Sequence, residues 1–333
     1  MTRAAVLGTG AWGTTFAGVL ADAGNEVVLW GNDEAANAEI NERHTNSGFT
    51  GERVFPDTVS ATGDAAEAFV GADLLFVALP AQSVREIVAE HANLVPRGTA
   101  VASLMKGIEV GSHMRMSEVL AEVWGIEQER LAVVSGPNLA IEIARKQPTA
   151  TVVASTSTAT AKRVADAIAS AYFRPYTNPD VVGVELCGAY KNVIAVSVGI
   201  ADGRGFGNNT TATIITRGLA EMARLGLALG ASVETFPGLA GMGDLIATCA
   251  SPLSRNHTLG ALIGQGSALR DAIAETKGTA EGVETSRSIQ QLADELGVDT
   301  PICNAVVKML HGGADPETIM SALLSRPRKA EGQ

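Results

Sequence analysis

The chain has 333 residues, enough for two domains with substantial cores, and 46% hydrophobic against 18% charged residues describes a soluble globular protein with little disorder. A net charge of −11 argues against a nucleic-acid or anionic-membrane surface, so an anionic ligand would need a local cationic pocket. Cys187, Cys249 and Cys303 and the scattered histidines lack metal-type spacing, so no metal site is read, and the thiols suit a reducing cytoplasm.

Met1-Thr-Arg runs straight into an apolar strand, Ala4–Leu7, which leaves no room for a signal peptide. No apolar run is read as reaching the ~18 residues of a membrane helix, and a cytoplasmic protein is expected. Gly8-Thr-Gly10-Ala-Trp-Gly13 follows the strand at once. A helix then runs from Thr14 to Gly24, and Glu26–Trp30 is the next strand. Strand, glycine turn, helix and strand in that order form the dinucleotide fingerprint. Gly8 permits the tight turn, Gly10 lets backbone approach a pyrophosphate, and Gly13 allows close helix–strand packing. The helix N-terminus supplies N–H donors and positive dipole to the phosphates. An acidic residue at the end of the second strand would select NAD, and an arginine NADP. Here Asn32 is neutral and Asp33 lies late, so the choice stays open.

Leu74–Ala78, Ala100–Ser103 and Leu131–Val134 read as further buried parallel strands, and Thr149–Ala154 and Phe173–Thr177 extend the same sheet. Ligands in such folds lie beyond the carboxyl ends of the strands. Three segments fall there: Leu79–Arg85, with Pro80 suited to starting a helix; Leu104–Gly107, which delivers Lys106; and Ser135–Asn138, which offers Gly136 and the Asn138 amide. Thr160 or a neighbour is expected to cap the next helix. The fold expected is α/β, a doubly wound Rossmann-type dinucleotide-binding domain over 1–179 followed by an all-α domain over 180–333.

That second domain opens on Leu186–Ile200, where Lys191 is the only charged side chain between Glu185 and Asp202. A helix so apolar should be buried, and burying an ammonium is costly unless something pairs or uses it. Gly188 and Ala195 flank Lys191 on its own face and are small, so that face is expected to admit another molecule. Alone, such a lysine could equally snorkel to the surface or pair with a carboxylate. Thr210–Leu229 reads as a long helix ended by Gly230. Gly238–Asp244 resembles a turn opening a helix, with Asp244 near its positive end, either as a simple cap or as part of a site. Thr248 and Ser254-Arg255-Asn256 follow, and Arg255 with Asn256 could give a fork of donors for a phosphate.

These motifs together resemble bacterial NAD(P)-dependent sn-glycerol-3-phosphate dehydrogenases over nearly the whole chain. The resemblance rests on Gly8–Gly13, Lys106-Gly107, Ser135–Ala140, Gly188–Ile194, Thr216–Met222, Gly241–Leu245 and Ser254–Asn256. It implies reversible oxidation of sn-glycerol 3-phosphate to dihydroxyacetone phosphate with NAD or NADP and no metal, in support of phospholipid synthesis. It also implies a homodimer in the cytoplasm. By resemblance Lys191 is the proton acceptor. Lys106, Gly136, Asn138, Asn192, Asp244, Thr248, Ser254, Arg255 and Asn256 line the substrate. Gly8, Gly10, Ala11, Trp12, Gly13, Asn32, Lys106, Ala140, Arg255, Thr279 and Glu281 fall on the cofactor side. Many members have Arg or His where Asn32 stands, and Ser or Thr where Asn138 stands.

The residues support that chemistry on their own. Oxidising a secondary alcohol sends a hydride to nicotinamide and a proton to a base, and a lysine in apolar surroundings near other cations can be that base. Two rival readings remain: a 3-hydroxy acid dehydrogenase of related architecture, and a catalytically silent nicotinamide-sensing module.

Overall fold

The computed structural model describes residues 2–276 and 278–325; Met1 and residues 326–333, which fall inside the expected domain limits, lie outside the described residues. Its strands are β1 (Arg3–Leu7), β2 (Glu26–Trp30), β3 (Val59–Thr62), β4 (Leu74–Val77), β5 (Ala100–Ser103), β6 (Leu131–Ser135), β7 (Thr149–Ala154) and β8 (Phe173–Asn178). They form one sheet in the order β3-β2-β1-β4-β5-β6-β7-β8. Strand order reverses between β1 and β4, the switch point where such folds bind ligands.

Two features differ from expectation. β3 was not read from the sequence, because Val59-Ser-Ala-Thr62 is short and carries no continuous apolar run. β7 pairs antiparallel with β6 but parallel with β8, so the sheet is mixed rather than wholly parallel. The connection before β7 carries only the short helix Ala140–Ala144, less than the crossover a parallel return usually requires.

Alternate residues of each inner strand feed two cores. Ala4, Val6 and Leu29 pack on one side with Phe16 and Phe76, while Ala5, Leu7 and Val28 pack on the other with Phe69 and Leu120. Both faces are therefore covered, which is why these strands read as continuous apolar runs. The described residues beyond Asn178 are helical or loop.

The helical half is built around Val181–Gly203, the central helix. By length and composition it could cross a membrane, which corrects the expectation that no stretch qualifies; here it is a core helix, buried along most of its length. Asp180 caps it by accepting from the Gly183 N–H at 2.8 Å. Its C-terminal half meets the helix Arg255–Gly264 backbone to backbone. A Cβ on Gly199 would lie 2.1 Å from the His257 carbonyl, and one on Gly260 would lie 2.2 Å from the Val196 carbonyl. Only glycines permit that approach, and it brings the Ser254-Arg255-Asn256 turn close to the central helix.

A second contact ties the halves together. Glu185, buried on the central helix, accepts from the Ser117 N–H at 2.8 Å, the Ser117 hydroxyl at 2.5 Å and Arg115 at 2.8 Å. Burial pushes its carboxyl above the usual range, and the Arg115 guanidinium opposes that shift. Glu185→Ala strands three donors at once and is expected to cost about 3 kcal/mol. A thermal or denaturant melt would register it; a loss under about 1 kcal/mol would mean the latch contributes no more than a surface pair.

Candidate active site

The fingerprint turn behaves as its glycines require. Gly8 has φ +115°, a conformation that disfavours side chains, and a Cβ there would lie 2.6 Å from the Ala78 carbonyl. A Cβ on Gly13 would sit 2.0 Å from the Gly8 carbonyl, so the helix Ala11–Asp22 can lie this close only with glycine. Over Gly10 the space is open. Ala11 and Trp12 begin the helix, and the Trp12 indole N–H is buried with no partner. The Ala140 carbonyl accepts from the Thr15 hydroxyl at 3.4 Å, which places the loop after β6 beside the turn. These donors and this opening fit a pyrophosphate, and the residues present suit a dinucleotide.

Lys106 leaves the end of β5 and crosses to the helical half. Its Nζ donates to the Gly136 carbonyl at 2.9 Å and to Asp244 Oδ2 at 2.6 Å. On the other side of that carboxylate, Lys191 Nζ lies 3.0 Å from Asp244 Oδ1 and donates to the Thr248 hydroxyl at 2.6 Å. Thr248 in turn donates to Asp244 Oδ1 at 3.2 Å. Asp244, only 2% exposed, is thus held between two ammonium groups and is no helix cap. The glycine segment before it forms a π turn, Leu239–Gly243, continuous with the helix Asp244–Ala250. Asp244 and Thr248 lie one turn apart on that helix and so reach the same amine.

Burial pulls the Lys106 ammonium down to about 8, and the charge of Lys191 adds to that, while Asp244 opposes both. The size of Gly188 led to the expectation of a face open to a ligand, and the structure fills that space instead. A Cβ there would meet Ser135 Oγ at 2.8 Å and Lys106 Cγ at 3.4 Å, so the glycine makes room for Lys106 itself. Ala195 is fully buried in the helical core. The small residues therefore bring two lysines to one carboxylate.

A chain of amides supports this cluster. The Asn192 amide donates to the Lys106 carbonyl at 3.1 Å, and its Oδ1 accepts from Asn256 Nδ2 at 2.9 Å. Asn256 Oδ1 accepts from the Gly282 N–H at 2.9 Å. Ser254 caps the helix that follows it by accepting from the His257 N–H at 3.2 Å. Lys106, Gly136, Lys191, Asn192, Asp244, Thr248 and Asn256 therefore form one hydrogen-bonded set. Arg255 and Asn256 do not form a ready fork: Asn256 is buried in these internal bonds and Arg255 is exposed. The Asn138 amide donates to Thr151 at 3.0 Å and leaves its Oδ1 buried without a partner.

Glu281 stands at the seam between the two halves. Its carboxylate accepts from the Ala81 N–H at 3.1 Å, burial raises its pKa, and the charge of Arg255 opposes the rise. Thr279 beside it is exposed, as is Asn32 at the far end of the fingerprint. Pro80 does not begin the helix after β4, which starts at Val84 after a turn that leaves the Ala81 N–H to Glu281. Glu185 and Asn37 were not singled out by sequence: a glutamate at the edge of an apolar run gives no sign of burial, and Asn37 sits in a largely polar helix.

The N-terminal region of the family described as NAD-dependent glycerol-3-phosphate dehydrogenase matches residues 3–161, and its C-terminal region matches residues 180–321. A glycerol-3-phosphate dehydrogenase (NAD(P)+) of Streptomyces griseus is 53% identical over 329 residues, 99% of this chain and 98% of that protein. One from Thermobifida fusca is 53% identical over 332 residues, 99% of each. Among solved structures, glycerol-3-phosphate dehydrogenase from Coxiella burnetii superposes with a TM-score of 0.92 at 35% identity, covering 98% of this chain and 99% of that one. The eight-stranded Rossmann-type sheet followed by helices is the architecture of these enzymes, and the chain belongs to the NAD-dependent glycerol-3-phosphate dehydrogenase family.

Proposed function

We propose that the chain interconverts sn-glycerol 3-phosphate and dihydroxyacetone phosphate with NAD(P), and that Lys191 moves the proton. The observation that carries the assignment of Lys191 is its buried amine, bonded to Thr248 and Asp244 on a helix that otherwise holds no charge between Glu185 and Asp202. Gly8, Gly10, Ala11, Trp12, Gly13, Asn32, Ala140, Thr279 and Glu281 would hold the nucleotide. Bound NAD(P) supplies the hydride acceptor in one direction and the donor in the other.

The protein's own part is positioning and proton transfer. An ammonium has three protons; the Thr248 hydroxyl accepts one, and the Asp244 carboxylate pairs with the charge from 3.0 Å. A proton not committed to Thr248 reaches the oxygen of the reacting carbon: donated to the forming alkoxide in reduction, and taken back from the hydroxyl in oxidation. Lys106 and Arg255 supply positive charge for the phosphate of the substrate. Asn192 and Asn256 fix the Lys106 loop against the central helix, and Asp244 keeps the two amines from repelling each other out of register. The glycerol 3-phosphate formed would serve phospholipid synthesis.

Steady-state reduction of dihydroxyacetone phosphate tests the reading, with oxidation of 3-hydroxyisobutyrate as the rival. Turnover of the hydroxy acid alone would overturn it. The pH profile carries a further expectation. Lys106 is charged below about 8 and loses its proton above it, so kcat/KM for dihydroxyacetone phosphate should fall as pH rises through about 8. Lys106→Arg should move that limb out of the accessible range, since arginine keeps its proton.

A further inference from the structure

Beyond the ends of β2 and β3 lies a cleft of about 520 Å³ lined by Gly31, Asn32, Glu34, Asn37, Asn41, Ala61, Thr62 and Gly63. It adjoins the glycine turn, because a Cβ on Gly31 would lie 2.3 Å from the Thr9 hydroxyl. A nucleotide whose pyrophosphate lies over Gly10 would place its adenosine here, on the reading proposed above.

Three features of this cleft concern the ribose. None of its lining residues is a cation, and Glu34 contributes a negative charge. The helix Glu34–Arg43 starts at its edge, yet that N-terminus is already occupied: the Asp33 carboxylate accepts from the Ala35 N–H at 3.0 Å and the Ala36 N–H at 3.1 Å. A phosphate would find these donors taken and an anion in its place. Finally, Asn37 is 8% exposed, and its amide nitrogen donates to the Gly31 carbonyl at 2.8 Å. That bond fixes which end of the amide is which, and it leaves Oδ1 buried with no donor. A buried acceptor without a partner is costly, and a ribose hydroxyl or an adenine amine would satisfy it. A 2′-phosphate has no proton to offer it near pH 8.

We infer that this chain discriminates against the 2′-phosphate and takes NAD(H) in preference to NADP(H), with Asn37, Asp33 and Glu34 as the residues that enforce the choice. The reading rests on the nucleotide site proposed above. Equilibrium titration of the wild-type protein with NADH and NADPH, followed by nicotinamide fluorescence, tests it without reference to turnover. NADH should bind about tenfold more tightly or better, the scale of one unpaired buried acceptor. Asn32→Arg, on an exposed residue at the rim, should narrow the ratio by tightening NADPH. Equal affinities, or tighter NADPH, overturn the inference while leaving the nucleotide site intact. Binding of neither nucleotide overturns the site itself, and the inference with it.

Discussion

Lys191→Ala is expected to retain NAD(H) binding and to lose turnover by a factor of roughly 10²–10⁴, the range attributable to a positioned proton-transfer group. The fold should survive the change. Asp244 keeps its 2.6 Å bond to Lys106, so no buried carboxylate is left bare. Burial chiefly lowers the Lys106 pKa and the Lys191 charge adds to it, so loss of that charge leaves Lys106 protonated to higher pH. Nucleotide affinity measured by fluorescence and turnover measured in parallel separate the two contributions. Substantial residual turnover with an unchanged pH profile would remove Lys191 from the chemistry and leave it as a structural partner of Asp244.

Two kinds of information were unequally legible in the sequence. Whatever depends on neighbours along the chain could be read: the glycine turn, the apolar strands, the long helix and its solitary lysine. A Cβ on Gly13 would meet the carbonyl of Gly8 only five positions earlier, so that spacing shows in the local pattern. What depends on packing between distant segments could not. Gly188 was read as opening a face to a ligand, whereas Lys106, from a loop 82 positions earlier, occupies that space. Glu185 gave no sign that it is buried against Ser117 and Arg115. Asn37 matters only because the Gly31 carbonyl takes its amide nitrogen and leaves the buried oxygen without a donor. β3 is hidden for the same reason: its residues are ordinary, and only its pairing with β2 makes it a strand.

The same long-range packing makes Asp244 the most consequential single position for both stability and activity. Asp244→Asn is nearly isosteric, but it leaves two buried ammonium groups with no charge between them. Removing one partner of a buried pair typically costs about 3–5 kcal/mol, mostly as the penalty of the charge left behind. The cost should depend on pH in a defined direction. Lys106 already titrates at about 8 rather than 10.5, and without Asp244 it loses the main influence that raises it. Below that lowered value the deficit is full; it shrinks as pH rises toward about 8, where Lys106 of the unsubstituted protein also loses its proton, and the unfolded chain is the same in both. Activity should fall by roughly a hundredfold or more at every pH, because the amine of Lys191 is then held by Thr248 alone. Adding Lys106→Met to Asp244→Asn separates the causes. The double variant lacks one of the uncompensated charges, so it should recover part of the lost stability and none of the lost turnover. If it melts no higher than Asp244→Asn, the carboxylate stabilises the fold by some route other than neutralising the two lysines.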